Sequence, residues 1–344
     1  MNDTFLKACR GEKTDYTPVW LMRQAGRYLP EYQALREKYD FMTLCKTPEL
    51  AAEITLQPVR RLNVDAAILF SDILIPLEPM GIKIEFPEKG GPVLNPPEDF
   101  TKLKKIKPKK DVSFVLETIK ILVKELDIPL IGFSGAPFTL LTYIIERGSS
   151  KNFLKTKRLM YEDSEKFHRI MELLSETVRD YLLSQIEAGV QAVQLFDTWA
   201  GILTPRDFKE YVLPYVKKII TDLKGNVPVI YFVLNGGTFL EFIKESGADV
   251  IGVDWRIDLG TAIDRLKDGV AVQGNLDPCE LFLPEERLFE RITDIVRKGM
   301  RSSIKGHIFN LGHGILPETP VEKARFLIDS VHEISARLKS VKIT

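Results

Sequence analysis

Eight short apolar runs, rich in β-branched residues, recur along the chain and have the length and composition of buried strands. They are Val19–Met22, Ala66–Phe70, Leu130–Phe133, Ala192–Phe196, Val229–Val233, Val250–Val253, Val270–Gln273 and His307–Leu311. Amphipathic stretches lie between them and predict helices, which are Thr47–Leu62, Asp111–Leu126, Ser164–Ala188, a helix starting at Thr204-Pro205, Thr238–Ser246, Pro284–Lys298 and Pro320–Leu338. Strands that alternate with helices predict a parallel sheet with right-handed crossovers.

Eight such units favour a closed (β/α)₈ barrel, the TIM barrel, over an open doubly wound sheet. No Gly-x-Gly-x-x-Gly follows the first strand, which argues against a dinucleotide-binding open sheet. We therefore expect one barrel domain over residues 1–344. Residues 76–110 interrupt the alternation after the second strand, and the runs Lys83–Phe86 and Pro92–Leu94 in this elaborated loop predict a hairpin that turns around residues 88–91.

Composition narrows the classes of partner. The 344 residues carry 48 Lys+Arg and 48 Asp+Glu, and this balance argues against general affinity for nucleic acid or membrane surfaces. No apolar run approaches the roughly 18 residues that span a bilayer, and the first residues do not resemble a signal segment, so we expect a cytoplasmic protein. The cysteines, Cys9, Cys45 and Cys279, form no Cys-x-x-Cys pair. Each is expected to be buried, without a disulfide or a zinc site.

In a closed barrel the carboxyl ends of the strands carry the active site. The first strand is followed by Arg23 and Arg27, with Gln24 between them. Paired guanidiniums offer forked donors and a permanent charge, so they predict a site for a carboxylate or phosphate. The alternative is that both arginines form ordinary surface salt bridges.

Two further strand ends carry candidate residues. Asp72 follows the apolar second strand, where its carboxylate needs N–H donors or a cation, although such an aspartate is often only a turn cap. His313 lies between Gly312 and Gly314, which allow close approach of a ligand that the imidazole could bind or exchange protons with. The alternatives are a histidine bonded to a neighbouring carbonyl, or a phosphate-binding nest over residues 310–314.

A tyrosine and three aspartates near other strand ends do not by themselves indicate a further catalytic or metal-binding site. Tyr143 lies on the helix after the third strand, and an aromatic residue there is by itself more typical of the core. Asp254, Asp258 and Asp277 have no histidine near them in the sequence, so no metal site is expected.

Five blocks resemble the signature blocks of the uroporphyrinogen decarboxylase family, in the same order and over nearly the whole chain: Met22–Tyr32, Phe70–Ile73, Gly132–Pro137, Gln194–Asp197 and Asn310–Gly314. The resemblance implies a single distorted (β/α)₈ barrel, a cytoplasmic homodimer, and no metal or organic cofactor. It also implies removal of the carboxyl groups of four acetate side chains from uroporphyrinogen III, an octacarboxylate tetrapyrrole, to give coproporphyrinogen III for haem synthesis.

The resemblance also places functional roles on particular residues. Substrate-binding and catalytic positions fall on Arg23, Arg27, Asp72, Tyr143, Thr198 and His313, and the cleft would be lined by Met22, Gln24, Phe133 and Phe196. We expect the carboxylates of the substrate to pair with the arginines and His313, and its pyrrole N–H groups to bind Asp72, an acceptor-only carboxylate. Asp72 would then stabilise the cation formed by ring protonation. The proton donor stays open between a bound water, His313 and a substrate carboxyl.

Three other functions compete with this interpretation. A zinc-dependent methyltransferase of the same barrel superfamily needs thiolate or histidine ligands at strand ends, and the fifth strand ends at Asn235-Gly236 without a His-x-Cys. A non-catalytic tetrapyrrole-binding protein would not need the arginine pair together with Asp72 and Tyr143. A phosphate-binding barrel aldolase would need a Schiff-base lysine at a strand end, where the sequence has none.

Overall fold

The centre of the protein is a parallel sheet of seven strands in an α/β fold, seen in a computed structural model that describes residues 1–87, 90–267 and 269–341. The strands of the described residues are β1 (Ala67–Ile68), β2 (Lys83–Glu85), β3 (Val93–Asn95), β4 (Leu130–Gly135), β5 (Ala192–Asp197), β6 (Val229–Val233), β7 (Val250–Gly252), β8 (Ala271–Gln273) and β9 (His307–Ile308). The order in the sheet is β1-β4-β5-β6-β7-β8-β9, so each strand of this sheet pairs in parallel with the next strand that belongs to it. Strands β2 and β3 pair antiparallel in a separate sheet, as predicted. Residues 88 and 89 of the predicted turn lie outside the described residues.

Helices connect the strands. In the described residues they are α1 (Thr4–Arg10), α2 (Pro30–Arg36), α3 (Phe41–Lys46), α4 (Pro48–Leu62), α5 (Pro108–Asp111), α6 (Ser113–Glu125), α7 (Pro137–Glu146), α8 (Leu154–Glu162), α9 (Ser164–Ala188), α10 (Pro205–Asp207), α11 (Leu213–Leu223), α12 (Leu240–Lys244), α13 (Leu259–Leu266), α14 (Glu285–Gly299) and α15 (Val321–Val341). None of them is long and apolar enough to cross a membrane.

The predicted helix boundaries fail in one informative place. The helix predicted over Asp111–Leu126 starts at Ser113 as α6, and Asp111 is instead the last residue of α5. The Asp111 carboxylate accepts a hydrogen bond from Lys107 N at 2.7 Å. Pro108 starts this extra turn, because proline suits the first position of a helix. The Thr204 cap is confirmed, since its Oγ1 accepts a hydrogen bond from Asp207 N at 3.1 Å.

The predicted first strand is reduced to one parallel bridge, between Val19 and Phe309. A proline has no N–H to donate, and the N–H groups of Leu21 and Met22 donate to the side chains of Gln24 and Asn310 instead. A regular ladder is therefore prevented. The segment still lies between the two edges of the sheet, because Phe309 N donates to Pro18 O at 2.8 Å and Asp65 N donates to Val19 O at 2.9 Å.

Asp65 fixes this segment at the amino end of β1. The carboxylate is 2% exposed and accepts hydrogen bonds from Tyr16 Oη at 2.7 Å and Val19 N at 2.8 Å. His332 on α15 contacts the same carboxylate, with Nε2 2.7 Å from Oδ2. Both carboxylate oxygens are therefore occupied, as buried polar groups require.

The interior of the sheet contains a short chain of buried polar side chains. Trp20 Nε1 donates to Gln273 Oε1 at 2.9 Å, and Gln273 Nε2 donates to Gln194 Oε1 at 3.1 Å. These bonds connect the segment that follows Pro18 to β8 and β5. The surrounding buried residues are apolar and form one continuous core cluster.

The cysteines differ from one another. Cys9 and Cys45 are buried, as predicted, but Cys279 is exposed, so the prediction for it was wrong. Asp277 starts a 3₁₀ turn at the surface there and accepts a hydrogen bond from Cys279 N at 2.9 Å.

Candidate active site

The loop after Val19 and the loop after β9 are joined through Met22, and this brings Arg23 to His313. Met22 N donates to Asn310 Oδ1 at 3.0 Å, and Ile315 N donates to Met22 O at 2.9 Å. Arg23 has a positive φ of 61°, which turns the chain at this point. Its side chain then lies directly on Gly314, where an added Cβ would be only 2.3 Å from Arg23 Cδ.

Arg23 and Arg27 are both exposed, and neither forms an ion pair with any residue that the structure describes. The salt-bridge alternative therefore finds no support here. Gln24 between them has another position. It is 0% exposed, its Oε1 accepts from Leu21 N at 3.0 Å and its Nε2 donates to Ala66 O at 3.1 Å. Its side chain supports the turn, and its contact with a substrate stays a prediction.

Asp72 follows β1 at the carboxyl end of the sheet and is partly buried. Its Oδ1 accepts a hydrogen bond from Leu74 N at 2.8 Å, so the turn-capping role is real. No described residue donates to Oδ2, which leaves one oxygen for a ligand. Burial raises the pKa of this carboxyl, while the Leu74 N–H and the charge of Arg23 act in the opposite direction.

Tyr143 on α7 is partly buried and lies within electrostatic reach of Asp72. Burial, and then the Asp72 charge, raises the pKa of its phenol, with Trp199 and Arg23 opposing the shift. The hydroxyl therefore stays protonated at neutral pH and can donate a hydrogen bond. The Trp199 ring meets Tyr143 edge to face at 5.7 Å between centroids.

His313 is a neutral hydrogen-bond donor. Its Nδ1 accepts a hydrogen bond from Gly314 N at 2.6 Å, so the single proton of the neutral ring lies on Nε2. Burial, helped by the charges of Arg23 and Arg256, lowers the pKa of the imidazole to about 4. The ring is therefore uncharged at neutral pH, and its Nε2–H is available to an anion.

The phosphate-nest alternative at residues 310–314 is disfavoured, because three of its backbone N–H groups already have acceptors. Leu311 N donates to Asn310 Oδ1 at 2.8 Å, Gly312 N donates to Leu276 O at 2.7 Å, and Gly314 N donates to His313. The glycines serve close packing instead of anion binding.

A series of aromatic rings in contact leads to His313. Phe133 meets Phe196 edge to face at 5.6 Å, Phe196 meets Phe232 at 6.3 Å, and Phe232 meets His313 at 6.3 Å. The rings come from β4, β5 and β6 and end at His313. Met22, another predicted lining residue, is 3% exposed, and Thr198, a predicted substrate-binding position, is partly buried.

Asp197, at the end of β5, has a role that the sequence did not assign. Its carboxylate is fully buried and accepts hydrogen bonds from Thr139 Oγ1 at 2.6 Å and Tyr231 Oη at 2.8 Å. Thr139 Oγ1 accepts in turn from Trp199 N at 3.1 Å, so Asp197 holds the loop that carries Thr198 and Trp199. Burial raises its pKa to about 6. The signal in the sequence was an acidic residue that ends an apolar strand.

Arg256, after β7, was also left without a role, although its charge acts on His313.

In the described part of the chain, no three His, Cys, Asp or Glu side chains are grouped so that they could hold a metal ion. That the site works without a metal stays a prediction.

Comparison with solved structures places the fold. A methyltransferase from Methanosarcina mazei superposes with a TM-score of 0.81 at 18% identity, over 96% of this chain and 98% of that one. A B12-independent methionine synthase from Shewanella sp. W3-18-1 gives a TM-score of 0.59 at 11% identity, over 89% of this chain and 91% of that one. At these identities the similarity shows the α/β fold alone.

Sequence comparison shows the family. A family profile described as uroporphyrinogen decarboxylase (URO-D) matches residues 1–334. Curated proteins named uroporphyrinogen decarboxylase are 54% identical over 343 residues in Carboxydothermus hydrogenoformans, covering 98% of this chain and 97% of that one, and 56% identical over 342 residues in Desulfotalea psychrophila, covering 98% and 100%. The resemblance predicted from the five blocks is confirmed, and the chain belongs to the uroporphyrinogen decarboxylase family.

Proposed function

We propose that this protein is an enzyme, a carboxy-lyase that removes the carboxyl groups of the four acetate side chains of uroporphyrinogen III and yields coproporphyrinogen III for haem synthesis. Relatives with that name and 51–56% identity support the reaction. The observation that carries the chemistry is the Asp72 carboxylate, partly buried and capped on one oxygen only, beside Arg23 and Tyr143.

The free oxygen of Asp72 suits the centre of the substrate. A porphyrinogen directs four pyrrole N–H groups toward its middle, and an ionised carboxylate is an acceptor without donors. Without substrate the Oδ2 atom has no donor among the described residues. The pyrrole N–H groups of the substrate would therefore be its hydrogen-bond donors. The same negative charge, already in place, stabilises positive charge that develops on a pyrrole ring.

Each decarboxylation requires an electron sink, because loss of carbon dioxide from an acetate on a pyrrole would otherwise leave an unstabilised carbanion on the methylene carbon. A proton adds to the ring carbon next to the one that bears the acetate and creates an iminium-like cation. The bond between the methylene and carboxylate carbons then breaks, carbon dioxide leaves, and the electron pair enters the ring system as an exocyclic methylene. Protonation of this methylene and loss of the ring proton give the methyl group, so one proton is consumed per carbon dioxide.

The arginines and His313 bind carboxylates in this mechanism. Arg23 and Arg27 are free of ion pairs with described residues, and His313 offers Nε2–H. A group with a pKa of about 4 is almost fully deprotonated at neutral pH, and an arginine is a poor acid. In the protein without substrate neither group supplies a proton readily, so we propose a bound water or a carboxyl of the substrate itself as the proton donor.

The remaining finer features are also proposals. We infer that the sheet closes into a distorted (β/α)₈ barrel, with Val19 between Phe309 and Asp65, and that residues 1–344 form one domain with 76–110 as its elaborated loop. A cytoplasmic homodimer is proposed from the family resemblance. A zinc-dependent methyltransferase is not favoured, since the described residues offer no group of three metal-ligating side chains.

The test is an anaerobic incubation of purified, chelator-treated protein with reduced uroporphyrinogen. Products are oxidised and separated by carboxyl number. Porphyrins with seven, six, five and four carboxyls are expected without added cofactor. Tight binding with all eight carboxyls retained would make the protein a carrier and would contradict the catalytic proposal.

A further inference from the structure

A third guanidinium, that of Arg256, approaches the site from the loop after β7, and the mechanism above does not use it. The glycines around His313 show how this loop comes close. A Cβ added to Gly312 would be 2.4 Å from Trp255 N, so the backbone of the β7 loop contacts this glycine directly. On the other side of His313, Gly314 contacts the stem of Arg23 in the same way. His313 therefore lies between two segments that each carry an arginine.

The flat face of the Arg256 guanidinium packs on an aromatic ring, and the N–H groups at its edge have no described acceptor. The guanidinium carbon lies 3.9 Å from the centroid of the Trp255 ring, a cation–π contact. Stacking of this kind uses the flat face of the guanidinium, while its N–H donors point outward in the plane. The side chain is 48% exposed. Trp255 thus orients the cation and does not compete for its hydrogen bonds.

The nearest carboxylate, that of Asp254, accepts hydrogen bonds from backbone N–H groups on both of its oxygens. Its Oδ1 accepts from Arg256 N at 2.8 Å, and its Oδ2 accepts a short hydrogen bond from Asn235 N. Arg256 Nη1 lies 3.9 Å from Oδ1, which is beyond hydrogen-bond distance. No acceptor among the described residues receives a hydrogen bond from this guanidinium.

Arg265 is a structural arginine and differs from Arg256 in its hydrogen bonds. Its Nε and Nη2 donate to the two oxygens of Glu241 at 2.8 Å and 2.6 Å, which is a closed, bidentate pair. Arg256 has the same donors and a preset orientation, but its fork is unoccupied by any described side chain. An oriented guanidinium with free donors, next to a neutral N–H donor, is a receptor for a carboxylate.

We propose that Arg256 binds a peripheral carboxylate of the tetrapyrrole, next to the carboxylate that Arg23 and His313 hold. This inference rests on the proposed function and extends its binding site to a third strand end. Arg256 thereby acts in substrate recognition and not in bond breaking. Its contact is equal in the ground state and the transition state, so it lowers KM and leaves kcat unchanged.

The test compares Arg256→Gln, Arg256→Lys and the wild type in steady-state decarboxylation of uroporphyrinogen. A charge-assisted hydrogen bond at a half-exposed site leads us to expect KM to rise about five- to tenfold in Arg256→Gln, with kcat within about twofold. Arg256→Lys keeps the charge but loses the fork, so its KM should lie between the two. Arg325→Gln is the matched control: Arg325 is 70% exposed on α15 and lies 3.8 Å from Asp329, so its removal should leave KM unchanged.

The outcomes separate the two claims. If the wild type decarboxylates and Arg256→Gln keeps its KM within about twofold, Arg256 has no part in recognition. If the wild type does not decarboxylate, the proposed function fails, and quenching of uroporphyrin fluorescence on binding still measures whether Arg256→Gln weakens affinity for the octacarboxylate. Should Arg256→Gln fold poorly, as seen by thermal unfolding, the KM of Arg256→Lys decides, and a value equal to the wild type would overturn the proposal.

Discussion

Asp65 and Asp72 lie at opposite ends of β1 and have opposite surroundings. Asp65, at the amino end, is almost fully buried, and Tyr16, Val19 and His332 occupy both of its oxygens. Asp72, at the carboxyl end, is partly buried and accepts one hydrogen bond, from Leu74 N, while burial raises its pKa.

The difference shows that the carboxylate at one end of β1 stabilises the fold, while the carboxylate at the other end remains available for a ligand. A buried carboxylate with all its donors strengthens the fold, and one with a missing donor costs the fold stability unless a ligand completes it. The arginines follow the same division. Arg265, away from the site, forms a bidentate pair with Glu241. At the carboxyl ends, Arg23 has no described acidic partner, and Arg256 lies 3.9 Å from Asp254 without a hydrogen bond to it. The predictions below test this division, from the largest effect to the smallest.

Asp72→Asn should lower kcat by about 10²- to 10³-fold, the typical loss when one preorganised charge is removed. The thermal midpoint should stay the same or rise. A carboxyl whose pKa is raised by the fold makes the folded state less stable as pH rises through that pKa, so removing the charge relieves a cost at neutral pH. Carboxyl-resolved product analysis and calorimetry on the same preparation measure both. Parallel losses of turnover and stability would contradict the division.

Asp65→Asn should do the reverse. Charge-assisted bonds to Tyr16, Val19 and His332 are lost or weakened, and we expect the free energy of unfolding to fall by about 2–3 kcal/mol. The kcat of the folded fraction should be unchanged at low temperature. Asp99→Asn is the matched control, since Asp99 accepts from Thr101 N and Oγ1 at an exposed turn and should matter little. A large loss of kcat at full stability in Asp65→Asn would refute the assignment.

His313→Gln should lower kcat/KM by about tenfold through the loss of one donor to a carboxylate. The shape of the pH profile between pH 5 and 7 should not change. The pKa of His313 is lowered from 6.5 to about 4, so the ring gains a proton only well below this window. An acid limb near pH 6.5 that disappears in the variant would show that His313 is a proton donor after all. His168→Gln, on α9, controls for the substitution itself.

Gly314→Ala should raise KM by about fivefold, the smallest effect of the four, because the exposed Arg23 contact that it disturbs is partly screened by water. The new Cβ would be 2.3 Å from Arg23 Cδ, so the flexible arginine must move away from His313. Gly91→Ala is the control, because its Cβ would meet, among the described residues, only Ser149 Oγ at 3.7 Å. Equal KM values in the two variants would show that the position of Arg23 does not depend on Gly314.

The sequence predicted the strands that are buried on both faces and the residues at their ends. Runs such as Val229–Val233 are apolar throughout, and the structure has β6 at those bounds. Val19–Met22 looks the same in sequence, but the donors of Leu21 and Met22 are taken by side chains. One of these, Asn310, is 288 residues away, and no local pattern reports such a partner.

Some residues of the candidate site could likewise be predicted from the sequence, and others depend on contacts between distant parts of the chain. Arg23, Asp72 and His313 could be found because each lies within two residues of the end of an apolar run. The position of Gln24 beneath the turn could not, since it depends on Ala66 across the sheet. Arg256 was given no role, because the local sequence does not show whether its guanidinium has a partner. Its free edge becomes visible only when the Asp254 hydrogen bonds are known.

The attachment of Met22 to Asn310 and Ile315 has a consequence for how the protein is made. Arg23 leaves the ribosome early and His313 hundreds of residues later, because chains grow from the amino end. A nascent chain that already holds β1 to β7 still lacks the partner that positions its first arginine. Ligands stabilise only the state that binds them, so the substrate can protect a finished molecule but cannot help an unfinished one to fold.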